Sequence, residues 1–507
     1  MRVTRSIWSF LTSEIAFAII MAVGFVATPL LLRWLGDERY GAVEATSDWI
    51  GYIGLLELGI AGSLMPLLAK ALAQNNESRV RTLLAAGVRS YLGVVMLAAI
   101  AAVVLVAAID RLLPVASQLK LDLRVGCAIG TLTMVVLLPL LPFRTLLEAE
   151  QRGYVVNTAI LVQSLSITAL SLVLAWAKWG IRGQFIAILV GGVGFNAIVV
   201  AYTRDRLPGL REAVRAGIRK SAEWKEVWSL NWPTFGFTLF GRVGVLTDNI
   251  IIGGLLAPAM VVPFLMTQQL AILAQRQLQG IGNASWAGLV ELQIQGKNEL
   301  FNLRLIELTR LIAILAVAVL IPICIYDRQF IRLWVGEQRF GGDFVVILAA
   351  INAFLLAIFS LWTWCINGIG EVRRVLPGIA VQTVINFALS IVLTLKLGLV
   401  GPLLGTTFGF ISVSIWYLPM LLRRRFETRA IDLYAAAGWP VASALPFAAI
   451  VWSLSRTLPV HGWFDMAAEM SVVAVGYLVV WWLVGLSAGE KSLWLQRMSL
   501  LIPRSSC

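Results

Sequence analysis

Uninterrupted apolar segments of about 20 residues or more recur along the whole chain, and they strongly constrain its fold. At 1.5 Å per residue, a helix of about 20 residues crosses the ~30 Å hydrocarbon core of a bilayer. Only 14% of the 507 residues are charged, whereas a soluble chain is about one quarter charged. The sequence therefore predicts an all-α, multi-pass integral membrane protein.

The apolar segments predict about fourteen transmembrane helices. We place them at residues 7–33, 41–69, 83–109, 125–147, 154–177, 183–203, 227–256, 259–289, 303–326, 343–368, 375–395, 399–422, 434–455 and 466–487. Several spans contain proline, which membrane helices tolerate because neighbouring groups can satisfy the carbonyl that proline leaves free.

The longest polar connection, residues 204–226, divides the first six spans from the next six. Its basic residues Arg211, Arg215 and Arg219 recur every four positions. This spacing predicts a short amphipathic helix on the cytoplasmic surface. The predicted organisation is an N-terminal half at 1–203, this linker, and a C-terminal half from residue 227.

The basic residues indicate the orientation of the chain. Most of the 41 lysines and arginines fall in connections on the side of both termini, including the run Arg423-Arg424-Arg425. The positive-inside rule therefore places both termini in the cytoplasm, with the chain in the bacterial inner membrane. The net charge of +13 is explained by these connections, which face anionic lipid. We expect membrane lipid rather than nucleic acid as a partner.

The residues that metal and cofactor chemistry require are scarce. The four cysteines form no CxxC pair, and His461 is the only histidine. A phosphate-binding loop for ATP and a sizeable aqueous loop are both missing from the sequence. We therefore expect no catalytic residues, no metal site and no cofactor. A membrane glycosyltransferase or polymerase is disfavoured because such enzymes need carboxylate motifs in large aqueous loops.

Short motifs in a fixed order resemble the bacterial polysaccharide flippases. The motifs are WLGDERYG at 34–41, LLELGI at 55–60, DNIIIG at 248–253 and FIRLWVGE at 330–337. They are similar to the family's first turn, its second helix, the end of its seventh helix and the segment after its ninth. The resemblance extends from Ile7 to about Arg425.

The resemblance implies membership of the multidrug/oligosaccharidyl-lipid/polysaccharide exporter superfamily. It implies two pseudo-symmetric lobes of six helices, at 1–203 and 227–425, with two extra C-terminal helices within 426–507. It also implies a transporter that moves an oligosaccharide linked to undecaprenyl diphosphate across the inner membrane by alternating access. The polysaccharide polymerase and glycosyltransferases of the same pathway are the protein partners to expect.

Two arginines lie inside predicted spans. Arg242 and Arg276 belong to the adjacent antiparallel spans 227–256 and 259–289, at similar predicted depth. A charge inside the bilayer is costly unless it faces a cavity or a partner. Arginine binds phosphate through a planar fork, so both residues are candidate ligands of the diphosphate. The alternative is that each pairs with a carboxylate, such as Asp248 or Glu57, and only holds helices together.

Other polar residues of the spans form a second candidate set. The carboxylates Glu14, Asp48, Glu57 and Asp248 are candidates for proton or Na⁺ coupling, or they are counter-ions of the arginines. Gln268 and Gln269 are candidate ligands of sugar hydroxyls, and interhelical hydrogen bonding explains them equally well.

Two related functions stay open at this point. A multidrug or small-molecule cation antiporter of the same superfamily usually has about twelve helices, fewer than this chain. A peptidoglycan lipid II flippase also has fourteen helices, but its cavity tends to be richer in arginine.

Overall fold

The computed structural model describes residues 2–57, 59–206, 208–210, 214, 231–456, 461–486, 489, 491 and 492. Throughout these residues the regular structure is helical, and none of them lies in a strand. The predicted linker helix at 204–226, with Arg211, Arg215 and Arg219, lies largely outside the described residues. The predicted all-α fold is confirmed for the part of the chain that is described.

The helices follow the apolar segments closely. In chain order they are α1 (Arg2–Leu35), α2 (Asp37–Gly54), α3 (Ile60–Ala73), α4 (Glu77–Leu112), α5 (Lys120–Leu137), α6 (Leu141–Ala149), α7 (Gly153–Trp176), α8 (Gly180–Tyr202), α9 (Asn231–Leu255), α10 (Val261–Ile294), α11 (Asn298–Trp334), α12 (Asp343–Gly368), α13 (Val372–Leu397), α14 (Val400–Gly409), α15 (Ile415–Phe426), α16 (Ala430–Ser455) and α17 (Trp463–Val480).

The number of membrane spans agrees with the prediction. Within the described residues, 12 helices are long and apolar enough to cross a membrane, or up to 14 if each of two bent pairs is one span. The first bent pair joins α2 to α3 at an angle of 48°. Gly59 lies at this bend with a φ of 70°, a left-handed conformation that glycine adopts without steric cost. The second bent pair lies within α9.

The chain divides into two compact units. The first contains residues 1–262 and 386–402, and the second contains 263–385 and 403–507. Within the first unit, α1 packs along α7, α7 along α8, and α8 along α5. The pseudo-symmetric lobes predicted at 1–203 and 227–425 stay a prediction.

The start of α8 is fixed by a carboxylate from α5 in the first unit. Asp122 accepts hydrogen bonds from the backbone N–H groups of Ile181, at 2.7 Å, and Arg182, at 3.2 Å. The first N–H groups of a helix lack partners within the helix, and a carboxylate at this end also interacts favourably with the helix dipole. Asp122 therefore acts as a helix cap supplied from a different helix.

In the second unit, the two C-terminal helices pack against α11. An apolar cluster joins Ile314, Val317 and Ala318 of α11 to Ala444 of α16 and Tyr477 of α17. The Tyr477 hydroxyl donates a 3.0 Å hydrogen bond to the carbonyl of Pro440 in α16. Lipid tails are as apolar as these side chains, so close packing and this hydrogen bond hold the helices together in the bilayer.

The turn between α1 and α2 has a second copy between α11 and α12. The two sequences are WLGDERYG at 34–41 and WVGEQRFG at 334–341. The first glycines, Gly36 and Gly336, have φ values of 80° and 97°. Arg39 and Arg339 each donate a hydrogen bond to the backbone carbonyl four residues earlier. The repeated sequence therefore has the same local hydrogen bonding in each unit.

The last glycine of each copy lies against a backbone carbonyl near the start of α10. A Cβ atom added to Gly41 would lie 1.8 Å from the carbonyl oxygen of Pro258, within the first unit. A Cβ added to Gly341 would lie 3.0 Å from the carbonyl oxygen of Pro263, within the second unit. Gly341 also donates its N–H to the hydroxyl of Thr267 at 2.7 Å. Both glycines thus permit a close backbone approach.

Candidate transport site

One exposed face of α10, called the polar face below, consists of polar and small residues, which is unusual for a membrane-spanning helix. Its exposed residues are Arg276, Gln277, Gly280, Asn283, Ala284, Ala287 and Gly288. The exposed side chains in the middle of α4 are apolar by contrast, and they include Leu92, Met96, Leu97, Ile100, Val103 and Val104. Lipid-facing positions are apolar because charged and polar groups are costly in hydrocarbon. The polar face of α10 is therefore suited to water rather than to lipid tails.

Arg276 is the charged residue of this face. Its side chain is exposed, and none of the ion pairs formed among the described residues includes it. Gly280, one turn further along the helix, has open space where a Cβ would be. The guanidinium of Arg276 is thus accessible and has no carboxylate partner within the described part of the chain.

The two predicted glutamine ligands lie earlier on the same helix. Gln268 is buried and donates its amide N–H to the carbonyl of Phe264 at 3.0 Å. Gln269 is half-buried. A third glutamine, Gln279, donates to the hydroxyl of Ser360 on α12 at 2.8 Å. Within the second unit, α10 therefore uses its amides for hydrogen bonds within the helix and between helices.

Arg242 lies on α9 in the first unit and is also exposed. It is within electrostatic range of the Glu57 carboxylate, as is Arg144. The hydroxyl of Tyr91 also lies beside Glu57. Glu57 is thus an electrostatic neighbour of Arg242, without a direct ion pair between their charged atoms among the described residues. The predicted common depth of Arg242 and Arg276 stays a prediction, because the two residues belong to different units.

A polar connection joins α2 to α9 in the first unit. Asp48 accepts a 2.7 Å hydrogen bond from the side-chain amide of Asn249. Tyr52, one turn after Asp48, makes a hydrogen bond with the hydroxyl of Thr247. Asp248 lies within electrostatic range of Asp48, and its Oδ1 atom is buried without a partner among the described residues. The structure therefore brings two of the predicted carboxylates together.

Glu14 lies apart from this connection. It is exposed on α1, near the start of the candidate span Trp8–Leu35. No ion pair or side-chain hydrogen bond includes its carboxylate within the described residues.

Sequence reasoning missed several members of the site. Tyr52, Thr247 and Asn249 complete the connection around Asp48, while Tyr91 and Arg144 accompany Glu57. The sequence contained one signal, because the consecutive polar residues Thr247-Asp248-Asn249 interrupt an apolar span. Tyr91 and Arg144 carry no such local signal, since they reach Glu57 from other helices.

Comparison with known proteins defines the family. The family profile described as polysaccharide biosynthesis protein matches residues 5–287, which is more than half of the chain. The chain belongs to this family. It is also 21% identical to the uncharacterized membrane protein EpsK of Bacillus subtilis (strain 168), an alignment that covers 96% of this chain and 97% of EpsK.

Solved structures of other membrane proteins share the fold of this chain. The lipid II flippase MurJ in its inward closed conformation has a TM-score of 0.71 at 12% identity, covering 93% of this chain and 99% of MurJ. An inward-facing multidrug resistance MATE family transporter of the MOP superfamily has a TM-score of 0.63 at 14% identity, covering 88% of this chain and all of that one (100%). The predicted family resemblance and membrane fold are confirmed.

Proposed function

We propose that this protein is a flippase that moves an oligosaccharide linked to a polyprenyl diphosphate across the bacterial inner membrane by alternating access. The observation that carries the proposal is Arg276, an exposed arginine without a carboxylate partner among the described residues, on the polar face of a spanning helix. An anionic substrate supplies the partner that this charge lacks. A diphosphate fits the planar, multidentate guanidinium.

The substrate has three chemically different parts, and the site residues divide among them. Arg276 is the proposed ligand of the diphosphate and Arg242 a further candidate, while the polyprenyl chain stays in the lipid. Sugar hydroxyls bind amides of α10. Gln269 is available, whereas Gln268 already donates to Phe264 and Asn283 already accepts from the Trp286 indole N–H. Asp48 and Asp248 are the proposed ion-coupling residues, and Glu14 and Glu57 are further candidates.

Arg242 differs from Arg276 because it has Glu57 as a neighbour. A salt bridge that forms in one state and is exchanged for substrate in another lets an arginine serve both as counter-ion and as ligand. We infer that Glu57 competes with the substrate for the charge of Arg242, whereas Arg276 has no such competitor among the described residues.

Substitution of Arg276 tests the proposal. Loss of a charge-assisted hydrogen bond costs about 1.5–3 kcal/mol, or roughly 10- to 150-fold in substrate affinity. We expect Arg276→Ala to abolish most of the surface polysaccharide in a complementation assay and Arg276→Lys to restore it partly. Protein abundance should be unchanged, because Arg276 is exposed. Arg424→Ala, at the end of α15, is the matched control. Normal polysaccharide in Arg276→Ala at normal abundance would contradict the proposal.

A lipid II flippase is the second candidate, and the fold shared with MurJ favours it. Both substrates present a diphosphate to Arg276, so the arginine does not separate them. Rescue of a strain depleted of its lipid II flippase would favour this candidate, and rescue of a polysaccharide mutant alone would favour our proposal. A multidrug cation antiporter is less well suited, since the unpaired positive charge of Arg276 repels a cationic substrate.

A further inference from the structure

A buried carboxylate lies outside the site described above. Asp327 belongs to α11 in the second unit, and only 1% of its surface is exposed. Neither of its carboxylate oxygens has a hydrogen-bond partner among the residues that the structure describes. Asp48 differs from it in this respect, because Asp48 receives a hydrogen bond from Asn249.

The charged neighbours of Asp327 are engaged elsewhere or carry the same sign. Arg328, the next residue, is exposed and binds Glu337 through two guanidinium nitrogens, at 3.0 and 2.7 Å. On α17, which packs against this helix, Glu469 faces Tyr326 and has one oxygen buried without a described partner. The thiol of Cys324, one turn before Asp327, is within electrostatic range of the Asp327 carboxylate. A counter-ion for an ionised Asp327 is therefore missing from the described surroundings.

An ionised carboxylate is unfavourable in a buried position that offers neither a hydrogen-bond donor nor a counter-ion. Burial of an unpaired charge costs several kcal/mol, and binding a proton removes the charge. A metal ion is less suitable than a proton because hard cations need several oxygen ligands. The described residues contain no group of three or more His, Cys, Asp or Glu side chains that could hold a metal.

We propose that Asp327 is a proton-binding site within the second unit, occupied in the conformation described. In another conformation water reaches the carboxyl group, its O–H bond breaks, and the proton passes to that water. Coupling of this step to substrate movement rests on the proposed flippase function. Proton binding itself does not depend on that function.

Infrared spectroscopy of the full-length protein in lipid bilayers tests proton binding directly. A protonated carboxylic acid has a carbonyl stretching band that is separate from the carboxylate bands and shifts in D₂O. We expect the wild type to show this band at pH 7 and Asp327→Asn to lack one component of it. Glu469→Gln is the matched control, and it should retain the Asp327 component. Identical spectra for wild type and Asp327→Asn would overturn the proposal. If Asp327→Asn does not fold, absence of any protonated carboxyl band from the wild type at pH 7 would overturn it.

Transport of a polyprenyl-diphosphate-linked oligosaccharide in proteoliposomes tests the coupling. We expect Asp327→Asn to equilibrate substrate across the bilayer without responding to an imposed pH gradient, whereas the wild type responds. An unchanged gradient response in Asp327→Asn would contradict the coupling. A wild type that moves no such substrate, yet shows the Asp327 band, would contradict the proposed function and leave the proton site intact.

Discussion

Asp48 of α2 and Asn249 of α9 are joined by a 2.7 Å hydrogen bond between helices that are distant in sequence. Asn249 is the donor, and its own side-chain oxygen is buried without a partner among the described residues. The pair thus connects a carboxylate of the second predicted span to the motif DNIIIG of the seventh. The strength of this hydrogen bond depends on whether Asp48 carries a charge, because an ionised carboxylate is a stronger acceptor than a carboxylic acid.

The first prediction concerns this pair. Asn249→Ala removes the donor and leaves Asp48 without it, which should destabilise the protein by about 1.5–3 kcal/mol. Asp48→Asn should cost less, since an amide oxygen also accepts from Asn249. The measurement is thermal unfolding of each variant in detergent, together with the double variant. Additive effects in this double-mutant cycle would show that the hydrogen bond contributes no coupling energy.

The second prediction concerns the cap of α8. Asp122→Ala leaves the N–H groups of Ile181 and Arg182 unbound and should lower stability by about 0.5–2 kcal/mol. Gly180→Ala should be more harmful, because its φ is 62° and a Cβ would lie 2.2 Å from the Asp122 carboxylate. Leu121→Ala is the control, because this neighbouring side chain of α5 is exposed. Equal unfolding temperatures for Asp122→Ala and Leu121→Ala would rule out the capping role.

The third prediction compares the two copies of the repeated turn. Gly41→Ala should reduce the amount of folded protein strongly, since its Cβ would lie 1.8 Å from a backbone oxygen. Gly341→Ala should have a milder effect, because the corresponding distance is 3.0 Å and a small shift relieves it. Fluorescence-detected size exclusion of tagged variants gives the measurement. The reverse order of severity would contradict the closer backbone approach at Gly41.

The fourth prediction concerns the attachment of the C-terminal helices to α11. Tyr477→Phe removes the hydrogen bond to Pro440 and should cost about 0.5–1.5 kcal/mol. Tyr477→Ala also leaves a cavity in the apolar cluster and should cost about 3–5 kcal/mol. Thermal unfolding of both variants checks the difference, with Phe464→Ala on the exposed surface of α17 as the control. Similar losses for Tyr477→Ala and Phe464→Ala would contradict a packing role for Tyr477.

The fifth prediction concerns orientation. A single cysteine at Asp205, in a background without native cysteines, should be labelled by an impermeant reagent only after the inner membrane is opened. A cysteine at Lys120 should be labelled in intact spheroplasts. These results are expected from the predicted orientation, in which the distribution of Lys and Arg indicates cytoplasmic termini. Labelling of both positions from the same side would exclude the fourteen-span topology.

The sequence by itself determined the membrane class and the helical spans. A stretch of about 20 apolar residues forms a helix in a bilayer, because a helix satisfies the hydrogen bonds of its backbone groups internally. The spans, the family resemblance and the unusual charges Arg242 and Arg276 could therefore be identified without tertiary information. The linker at 204–226 and the two lobes remain expectations of the same analysis.

Only the tertiary structure decided what the polar residues contact. Gln268 and Arg276 lie on one predicted span, yet Gln268 is buried and hydrogen-bonded while Arg276 is exposed. Asp48 accepts a hydrogen bond from Asn249. Asp327 in α11, which no sequence motif marks, is buried without a hydrogen-bond partner among the described residues. Burial and pairing depend on neighbouring helices that are remote along the chain, and no local pattern specifies those neighbours.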